Sequence, residues 1–188
     1  MNRLLCTLLL ASATAVIPAQ AGLITLDGPS TVNGAFDVSV KVTGVFDAPH
    51  DLDLLLGYGF NLTYDNSILT FLGETPGSLF DDLSGNPGIG AQVAGLASAI
   101  FLAPGDFAEP LTLAVLHFKV AGYGATTVSI SGDPSASLDQ GLAYLSASDA
   151  IGAKTSLTAV PEPGSAWLCG MGILAVGAGL LKRRQPSA

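Results

Sequence analysis

The sequence predicts an all-β fold, an antiparallel β-sandwich of about nine strands. Apolar and polar residues alternate over short segments between residues 22 and 160, as in FDVSVKV, where Phe36, Val38 and Val40 share one side. Clusters of Gly, Pro, Asn and Asp separate these segments, and no sustained helical period with capping residues runs through them. Period two is typical of half-buried strands, and frequent turns between short strands are typical of a sandwich.

The individual strands follow from the same pattern. The strongest predictions cover residues 36–42, 58–64, 68–72, 111–120 and 126–131. Asp65, Asn66 and Ser67 stand between two of these segments, and such a composition predicts a hairpin turn. Residues 92–101 are apolar and rich in small residues. Weaker strand signals lie at residues 23–26, 142–145 and 156–160.

The long strand at residues 111–120 separates core from surface positions. Its alternation predicts that Thr112, Ala114, Leu116, Phe118 and Val120 face the core. His117 then lies on the other side, where a hydrogen-bonded or surface imidazole is expected rather than a catalytic one. His50 and His117 are the only histidines, and no G-x-S-x-G motif, metalloprotease helix or Gly-rich phosphate loop is present. The sequence therefore predicts no enzyme and no catalytic residue.

Charge and cysteine content limit the function classes. The chain has a net charge of −8, but residues 22–160 carry three lysines and fourteen acidic residues, a net charge of −11. Such a surface repels nucleic acid and anionic lipid, so divalent cations and neutral sugars are better candidate ligands. Cys6 and Cys169 lie in the terminal segments. The middle of the chain therefore has no disulfide and must be stabilised by its core.

The N-terminus predicts export. Arg3 precedes an apolar run at residues 4–10, and Ala19 and Ala21 form an A-x-A cleavage signature around Gln20. Residues 1–21 are therefore predicted to be a cleaved signal peptide. An uncleaved anchor is the alternative, although the apolar run is short for a membrane span.

The C-terminus predicts a second membrane segment. Pro161, Glu162 and Pro163 precede residues 164–181, which carry no charge, and the basic residues Lys182, Arg183 and Arg184 follow at once. Eighteen helical residues span about 27 Å, close to the hydrocarbon core of about 30 Å. The positive-inside rule keeps residues 182–188 cytoplasmic and places the preceding chain on the other side of the membrane.

This tail resembles a PEP-CTERM sorting signal, in which a Val-Pro-Glu-Pro segment precedes an apolar helix and an Arg-rich end. Pro161, Glu162 and Pro163, the Gly-rich helix and the basic cluster all match in order. The resemblance implies processing by an exosortase in a Gram-negative, often biofilm-forming bacterium, and transient anchoring before release to the cell surface or medium. An ordinary C-terminal anchor with a Pro-rich neck is the alternative.

The exported part resembles the cohesin-like sandwich family. The resemblance rests on FDVSVKVTGV, LLGYGFNLTYDNSILTFLG, LTLAVLHFKVAG and TTVSIS, within residues 23–131. It implies a jelly-roll-type sandwich that binds dockerin modules through one sheet face, with no contact residue carried over. We divide the chain into a signal peptide (1–21), the sandwich (22–145), a final strand or linker (146–160) and the sorting signal (161–188).

One loop is a candidate calcium site. Asp47, Asp51 and Asp53 cluster before the strand at residue 58, with His50 among them. Calcium prefers several oxygen ligands from flexible loops, although these aspartates do not follow the EF-hand spacing. A solvated acidic loop is the alternative.

Together these patterns predict a non-catalytic surface or extracellular-matrix protein with a β-sandwich adhesion domain, linked to exopolysaccharide or biofilm. Its partner is expected to be a protein or a polysaccharide, and no nucleic acid. A carbohydrate-binding module is the runner-up, with Tyr58, Tyr64, Tyr123 and Tyr144 as candidate sugar platforms. A small calcium-dependent hydrolase that uses the Asp-rich loop is the enzyme alternative.

Overall fold

A computed structural model describes residues 22–137 and 139–161, and in these residues the chain forms twelve strands and no helix. The strands are β1 (Leu23–Asp27), β2 (Thr31–Val32), β3 (Ala35–Thr43), β4 (Leu55–Thr63), β5 (Leu69–Pro76), β6 (Phe80–Asp82), β7 (Val93–Ala97), β8 (Leu111–Val120), β9 (Gly124–Gly132), β10 (Gly141–Tyr144), β11 (Ser148–Asp149) and β12 (Ile151–Ala159). The predicted all-β fold is confirmed. The predicted signal peptide (1–21) and apolar helix (164–181) lie outside the described residues, and within those residues no helix is long and apolar enough to cross a bilayer.

The strands form two sheets. The four-strand sheet has the order β1-β3-β8-β5 and is antiparallel throughout. The eight-strand sheet has the order β11-β10-β4-β9-β12-β2, with β7 paired to β4 and β6 paired to β7. Its pairs are antiparallel except β12 with β2. The predicted strands therefore assemble as an antiparallel sandwich.

The core lies between the two sheets and is centred on Phe118. The ring centroid of Phe118 lies 5.6 Å from that of Phe36, 5.5 Å from Tyr64 and 5.4 Å from Phe71. Phe118 and Phe60, from opposite sheets, are fully buried. Aromatic side chains remove large apolar areas from water, so this cluster supplies much of the stability of a domain without disulfides.

A β-bulge corrects the prediction for β8. Val40 pairs with Ala114, but Lys41 pairs with Thr112, so Leu113 has no partner on β3. The extra residue shifts the side-chain alternation by one position. Ala114, Leu116 and Phe118 are buried as predicted, but before the bulge Leu111 and Leu113 are buried. The prediction that Thr112 faces the core is wrong, because period two holds only along an unbroken ladder.

The two ends of the sandwich differ in what they carry. Leu23 pairs with Thr43, so the described chain begins at the end that holds the loops at 44–54, 98–110 and 145–147, here called the loop end. β12 pairs with β9 from Ile151 to Ala159 and leads away from the loop end. Pro161 therefore lies at the opposite end, and a strand of nine residues separates the two ends by about 30 Å.

Truncating the core should measure how far the domain depends on it. Phe118→Ala is expected to lower the free energy of unfolding by about 3–5 kcal/mol, since it removes the centre of the aromatic cluster. Tyr123→Ala, at an exposed ring, is the control and should stay within about 0.5 kcal/mol of the parent. Urea denaturation followed by circular dichroism measures both, and equal losses would contradict the assignment of the core.

Candidate functional site

An apolar cleft lies on the eight-strand sheet, in the half of the sandwich near the loop end. It has a volume of about 220 Å³ and is bordered by strands β4, β7 and β10 and by the segment that joins β6 to β7. The side chains that give it its apolar character are Leu56, Leu83, Ile89, Leu96 and Ala143, here called the apolar face. Leu96, on β7, is 44% exposed.

Irregular backbone shapes this cleft. Ala143 pairs with Gly57 and Tyr144 pairs with Leu55, so Leu56 is an extra residue in β4 opposite β10. Such a bulge redirects a side chain, and here it leaves Leu56 at the cleft. Gly57 faces Leu96 across the β4–β7 pair, where a Cβ atom would collide with the carbonyl oxygen of Gly95. Only glycine permits this approach of the two backbones.

The apolar surface continues toward the loop end. Leu55 and Leu102 exchange two backbone hydrogen bonds of 2.9 and 2.8 Å, which hold Phe101 beside the start of β4. The amide of Leu145 donates to the carbonyl of Leu54 at 2.9 Å. Phe101 and Leu145 are 43% and 66% exposed. These backbone bonds connect the segments that carry Phe101 and Leu145 to the start of β4.

The border of the cleft is acidic. Asp139 lines it, and its carboxylate accepts hydrogen bonds from the Ser137 hydroxyl and from the amides of Gly90 and Ala91. The bond from Ser137 contributes most to lowering the pKa of Asp139, so this residue is ionised near neutral pH. Asp81 and Asp82 are exposed on β6, the strand that pairs with β7. The lysines of the described residues lie elsewhere, on β3, β8 and β12.

Behind the cleft lies a partly buried polar cluster. Tyr58 is 4% exposed, and its hydroxyl and Oε2 of Glu74 are buried atoms without a hydrogen-bond partner. Oε1 of Glu74 accepts a hydrogen bond from the Ser84 hydroxyl. Burial, reinforced by the charge of Asp82, raises the pKa of Glu74 to about 7. Burial also raises the pKa of Tyr58 far above its usual range.

The predicted Asp-rich loop is built around His50, which is buried. Nδ1 of His50 lies 3.0 Å from Oδ2 of Asp53, and Nε2 lies 2.9 Å from Oδ2 of Asp149. The imidazole stacks on Tyr144 with ring centroids 3.9 Å apart, and the Tyr144 hydroxyl donates to the carbonyl of Val45 at 2.7 Å. This cluster connects the loop at 44–54 to the segment between β10 and β11.

Asp53 is fixed within this cluster. Burial opposes the ionisation of Asp53. Hydrogen bonds to its carboxylate favour ionisation, and they come from the Ser146 hydroxyl, the amides of Leu54 and Ser146 and the ring of His50. These bonds outweigh burial and lower the pKa of Asp53 to about 2. Asp47 and Asp51 are exposed instead. In residues 22–137 and 139–161, no group of three or more His, Cys, Asp or Glu side chains is arranged to hold a metal ion. Calcium binding by Asp47, Asp51 and Asp53 stays a prediction.

His117 has hydrogen-bond partners on both sides at the surface of the four-strand sheet. Its Nδ1 lies 2.8 Å from Oδ1 of Asp37, and its Nε2 lies 2.8 Å from Oγ1 of Thr75. A base between a carboxylate and a hydroxyl is the order of groups used in nucleophilic catalysis. Here the three groups lie on neighbouring strands β3, β8 and β5 and are partly exposed, so they form a cross-strand ladder.

The predicted sorting residues lie at or beyond the edge of the described structure. Pro161 is the last described residue, at the end opposite the loop end. The remaining predicted positions lie outside the described residues: Ala19, Ala21, Glu162, Pro163, Lys182, Arg183 and Arg184.

Comparison with known proteins bears on the fold. No protein-family model and no curated protein sequence matches the chain at a significant level. Among solved structures, the protein is similar to the cohesin module of a family 33 glycoside hydrolase from Clostridium perfringens, with a TM-score of 0.54 and 9% identity over 76% of this chain and 99% of that module. A second similar structure belongs to a type II cohesin–X–dockerin complex from Acetivibrio cellulolyticus, with a TM-score of 0.49, 14% identity and coverage of 74% and 99%. The first similarity establishes a cohesin-like sandwich.

Sequence reasoning did not find the apolar face. Its five side chains come from β4, the β6–β7 segment, β7 and β10, and no local pattern joins them. The available signal was glycine within strands, as in the Gly57-Tyr58-Gly59 segment of β4 and at Gly95 of β7. Glycine inside a strand marks close backbone approach or a bulge, and both occur here.

Asp53 gives a pH-dependent test of the loop cluster. Because its pKa lies below the ordinary value of 3.8, ionised Asp53 stabilises the folded state. Asp53→Asn is expected to cost about 1–3 kcal/mol of unfolding free energy near pH 7. This difference in unfolding free energy should persist at every pH above 3.8, the ordinary pKa of an aspartate. It should disappear as the pH falls through about 2.

Denaturant titrations of both proteins across this range provide the measurement. Asp51→Asn, at an exposed aspartate in the same loop, is the matched control and should change the unfolding free energy by less than about 0.5 kcal/mol. If the two variants are equally stable near neutral pH, Asp53 does not hold the loop.

Proposed function

We propose that the protein is an exported, non-catalytic binding module that captures another protein through the apolar face. The main supporting observation is the cleft of about 220 Å³ with the half-exposed Leu96 at its wall. A soluble sandwich gains nothing in stability by leaving such side chains in water, whereas a partner that covers them removes apolar area from water. A protein partner also agrees with the cohesin-like fold, although fold alone does not determine function.

The chemistry of the face defines the partner. The cleft accepts an apolar side chain, and Asp139 at its border attracts cationic groups. The partner is therefore a protein surface with an apolar anchor among lysine or arginine residues. Charge complementarity of this kind accelerates encounter and excludes anionic partners, and it weakens as salt is added. A dockerin module is the first protein class to test.

Two observations favour a protein over a sugar or a hydrolysable substrate. Sugar-binding surfaces usually carry exposed aromatic rings, but Tyr58 and Tyr144 are buried, which leaves Tyr123 as the most exposed tyrosine of the described residues, outside the apolar face. The Asp-rich loop, which the hydrolase alternative requires, uses Asp53 to hold His50 and the amides of Leu54 and Ser146. A residue committed to such contacts is a structural support.

Export and sorting complete the proposal. The signal peptide delivers the chain across the inner membrane, and an exosortase recognises Pro161, Glu162 and Pro163 while the apolar helix and basic tail hold the chain in the bilayer. After release from the inner membrane, the domain is located at the surface or in the extracellular matrix of a Gram-negative cell, where exopolysaccharide is also present. Because Pro161 lies at the end opposite the loop end, an anchored chain keeps the apolar face away from the membrane.

Capture experiments test the binding surface. Immobilised protein is exposed to purified dockerin modules and to secreted proteins of the native cells, and bound proteins are identified by mass spectrometry. Leu96→Asp places a charge at the cleft wall and should reduce capture of a specific partner at least about tenfold.

Leu72→Asp is the matched control, because Leu72 is an exposed leucine of the opposite sheet. Leu72→Asp should capture as much partner as the parent does. Added salt should reduce capture by both proteins. A partner that is bound equally by the parent and both variants does not use the apolar face.

Sorting is tested separately in native cells. Replacing Pro161, Glu162 and Pro163 together by alanine removes the extended segment that the enzyme would grip, so the unprocessed chain should accumulate in the inner membrane. Ser187→Ala, in the basic tail, is the control. Residues closer to the motif, such as Thr155–Thr158, are unsuitable because they belong to β12 and changing them could unfold the domain. Fractionation and immunoblotting give the result, and normal release of the triple variant would contradict exosortase recognition of this motif.

A further inference from the structure

A second groove lies on the eight-strand sheet, near the end at which the chain leaves the sandwich. It has a volume of about 390 Å³ and is bordered by β9, by β12 and by the residue before β2. A volume of this size is typical of sites for small ligands. Four exposed residues of its lining carry hydroxyl groups, and the groove is here called the hydroxyl groove after them: Ser30, Thr127, Ser156 and Thr158.

Strand pairing brings these hydroxyl groups together. Thr127 pairs with Ser156 and Ala125 pairs with Thr158 across the antiparallel β9–β12 ladder, so all four side chains lie on one face of the sheet. The amide of Thr158 donates to the carbonyl of Ser30 at 2.9 Å, which places Ser30 at the edge of the same groove. The hydroxyl groove therefore has backbone hydrogen bonds across its width.

The hydroxyl groove is free of carboxylates, although the domain is strongly acidic. Strands β4, β9 and β12 are neighbours in the eight-strand sheet, and none of the three contains Asp or Glu. Divalent cations prefer carboxylate ligands, so the lining does not suit them. Leu157, the largest apolar residue of the lining, is only 3% exposed, so an apolar anchor has little to contact. Hydroxyl groups both donate and accept, and this lining fits a neutral ligand that has many hydroxyl groups.

Two further side chains give the hydroxyl groove a specific chemistry. Tyr123 is 65% exposed and stands immediately before β9, two residues from Ala125 in the lining, so their Cα atoms are within about 7 Å. Thr126 also lines the groove and is 8% exposed, and its Oγ1 is a buried atom without a hydrogen-bond partner among the described residues. An exposed ring beside unused hydroxyl groups is complementary to a sugar, which offers both an apolar ring face and hydroxyl groups.

We propose that the hydroxyl groove is a second binding site, which takes a neutral polysaccharide. The hydroxyl groups of the groove form hydrogen bonds with those of the sugar chain, and Tyr123 stacks on one sugar ring. This binding goes beyond the protein capture proposed for the apolar face and does not depend on it. The hydroxyl groove lies near Pro161 and the apolar face lies in the half near the loop end, so both ligands can be bound at once. The net charge of −11 on residues 22–160 disfavours anionic polysaccharides.

Affinity electrophoresis tests the site. Full-length protein, purified in detergent micelles, migrates through native gels that contain a neutral glucan, mannan or galactan, or the polysaccharide extracted from the native cells. At least one neutral polysaccharide should retard the parent. The double variant Thr127→Val, Thr158→Val keeps β-branched side chains on the strands but removes two hydroxyl groups, and its affinity should be at least about tenfold lower.

Tyr123 provides an independent variant, so a folding failure of the double variant leaves a second test. Tyr123→Ala removes the ring and should lower the affinity at least about fivefold, whereas Tyr123→Trp keeps an aromatic face and should bind as the parent does. Thr70→Val is the matched control for the hydroxyl groups, because Thr70 is an exposed threonine of the opposite sheet, and its affinity should equal that of the parent.

Three results would overturn the proposal. The first is that no neutral polysaccharide retards the parent. The second is that the double variant and Tyr123→Ala bind as tightly as the parent, since the sugar then lies elsewhere. The third is that polygalacturonate, an anionic polysaccharide, is the only one that retards the parent, because this indicates attraction to Lys154, which is two residues from Ser156 on β12. Protein capture by the apolar face has its own assay, so either proposal can fail while the other stands.

Discussion

The structure depends on β4, a single strand that pairs with three others. Gly57–Phe60 pair with β7, Gly57–Gly59 also pair with β10, and Asn61–Thr63 pair with β9. A strand that is hydrogen-bonded on both sides has no free edge. Its side chains therefore lie on the inner and outer faces of the sheet, in the middle of each. Phe60 points into the core, whereas the bulge at Leu56 and the missing side chain of Gly57 shape the outer surface. Core and cleft are thus two sides of the same strand.

Polar contacts then stabilise the loops that this strand joins. His50 lies between Asp53 and Asp149 at 3.0 and 2.9 Å and stacks on Tyr144, so these contacts connect the loop before β4 to β10 and β11. Buried polar groups are favourable only when their partners are complete, and Asp53 meets this condition with several donors. Glu74 does not meet it, since Oε2 lacks a partner. The hydrogen bonds of Asp53 therefore stabilise the loop end.

The arrangement of the ends is consistent with a module that is presented outward. The chain leaves the sandwich at Pro161, about a strand length from the loop end. An acidic domain is repelled by anionic lipid, and its apolar face lies in the half remote from the exit. Charge, chain direction and the position of the cleft thus favour the orientation proposed above, in which the apolar face points away from the membrane.

The sequence by itself determined the fold class and most strand positions, because alternation along a single segment is a local property. The segment at 111–120 matches β8 residue for residue, and the predicted strands at 36–42 and 126–131 each gained one or two residues at their ends. β2, β6 and β11 were not predicted, since two or three residues are too few to show a period. The burial of Leu113 likewise escaped prediction, because a bulge depends on the partner strand.

Only the tertiary structure decided the candidate site. Leu56, Leu83, Leu96 and Ala143 are far apart in sequence and meet because β4 pairs with β7 and β10 at once. The role of the aspartates was decided in the same way: Asp53 found donors in Ser146, 93 residues away, whereas Asp51 stayed exposed. Charge and strand period can be read from the local sequence, but which side chains share a cavity or a hydrogen bond depends on contacts between distant segments.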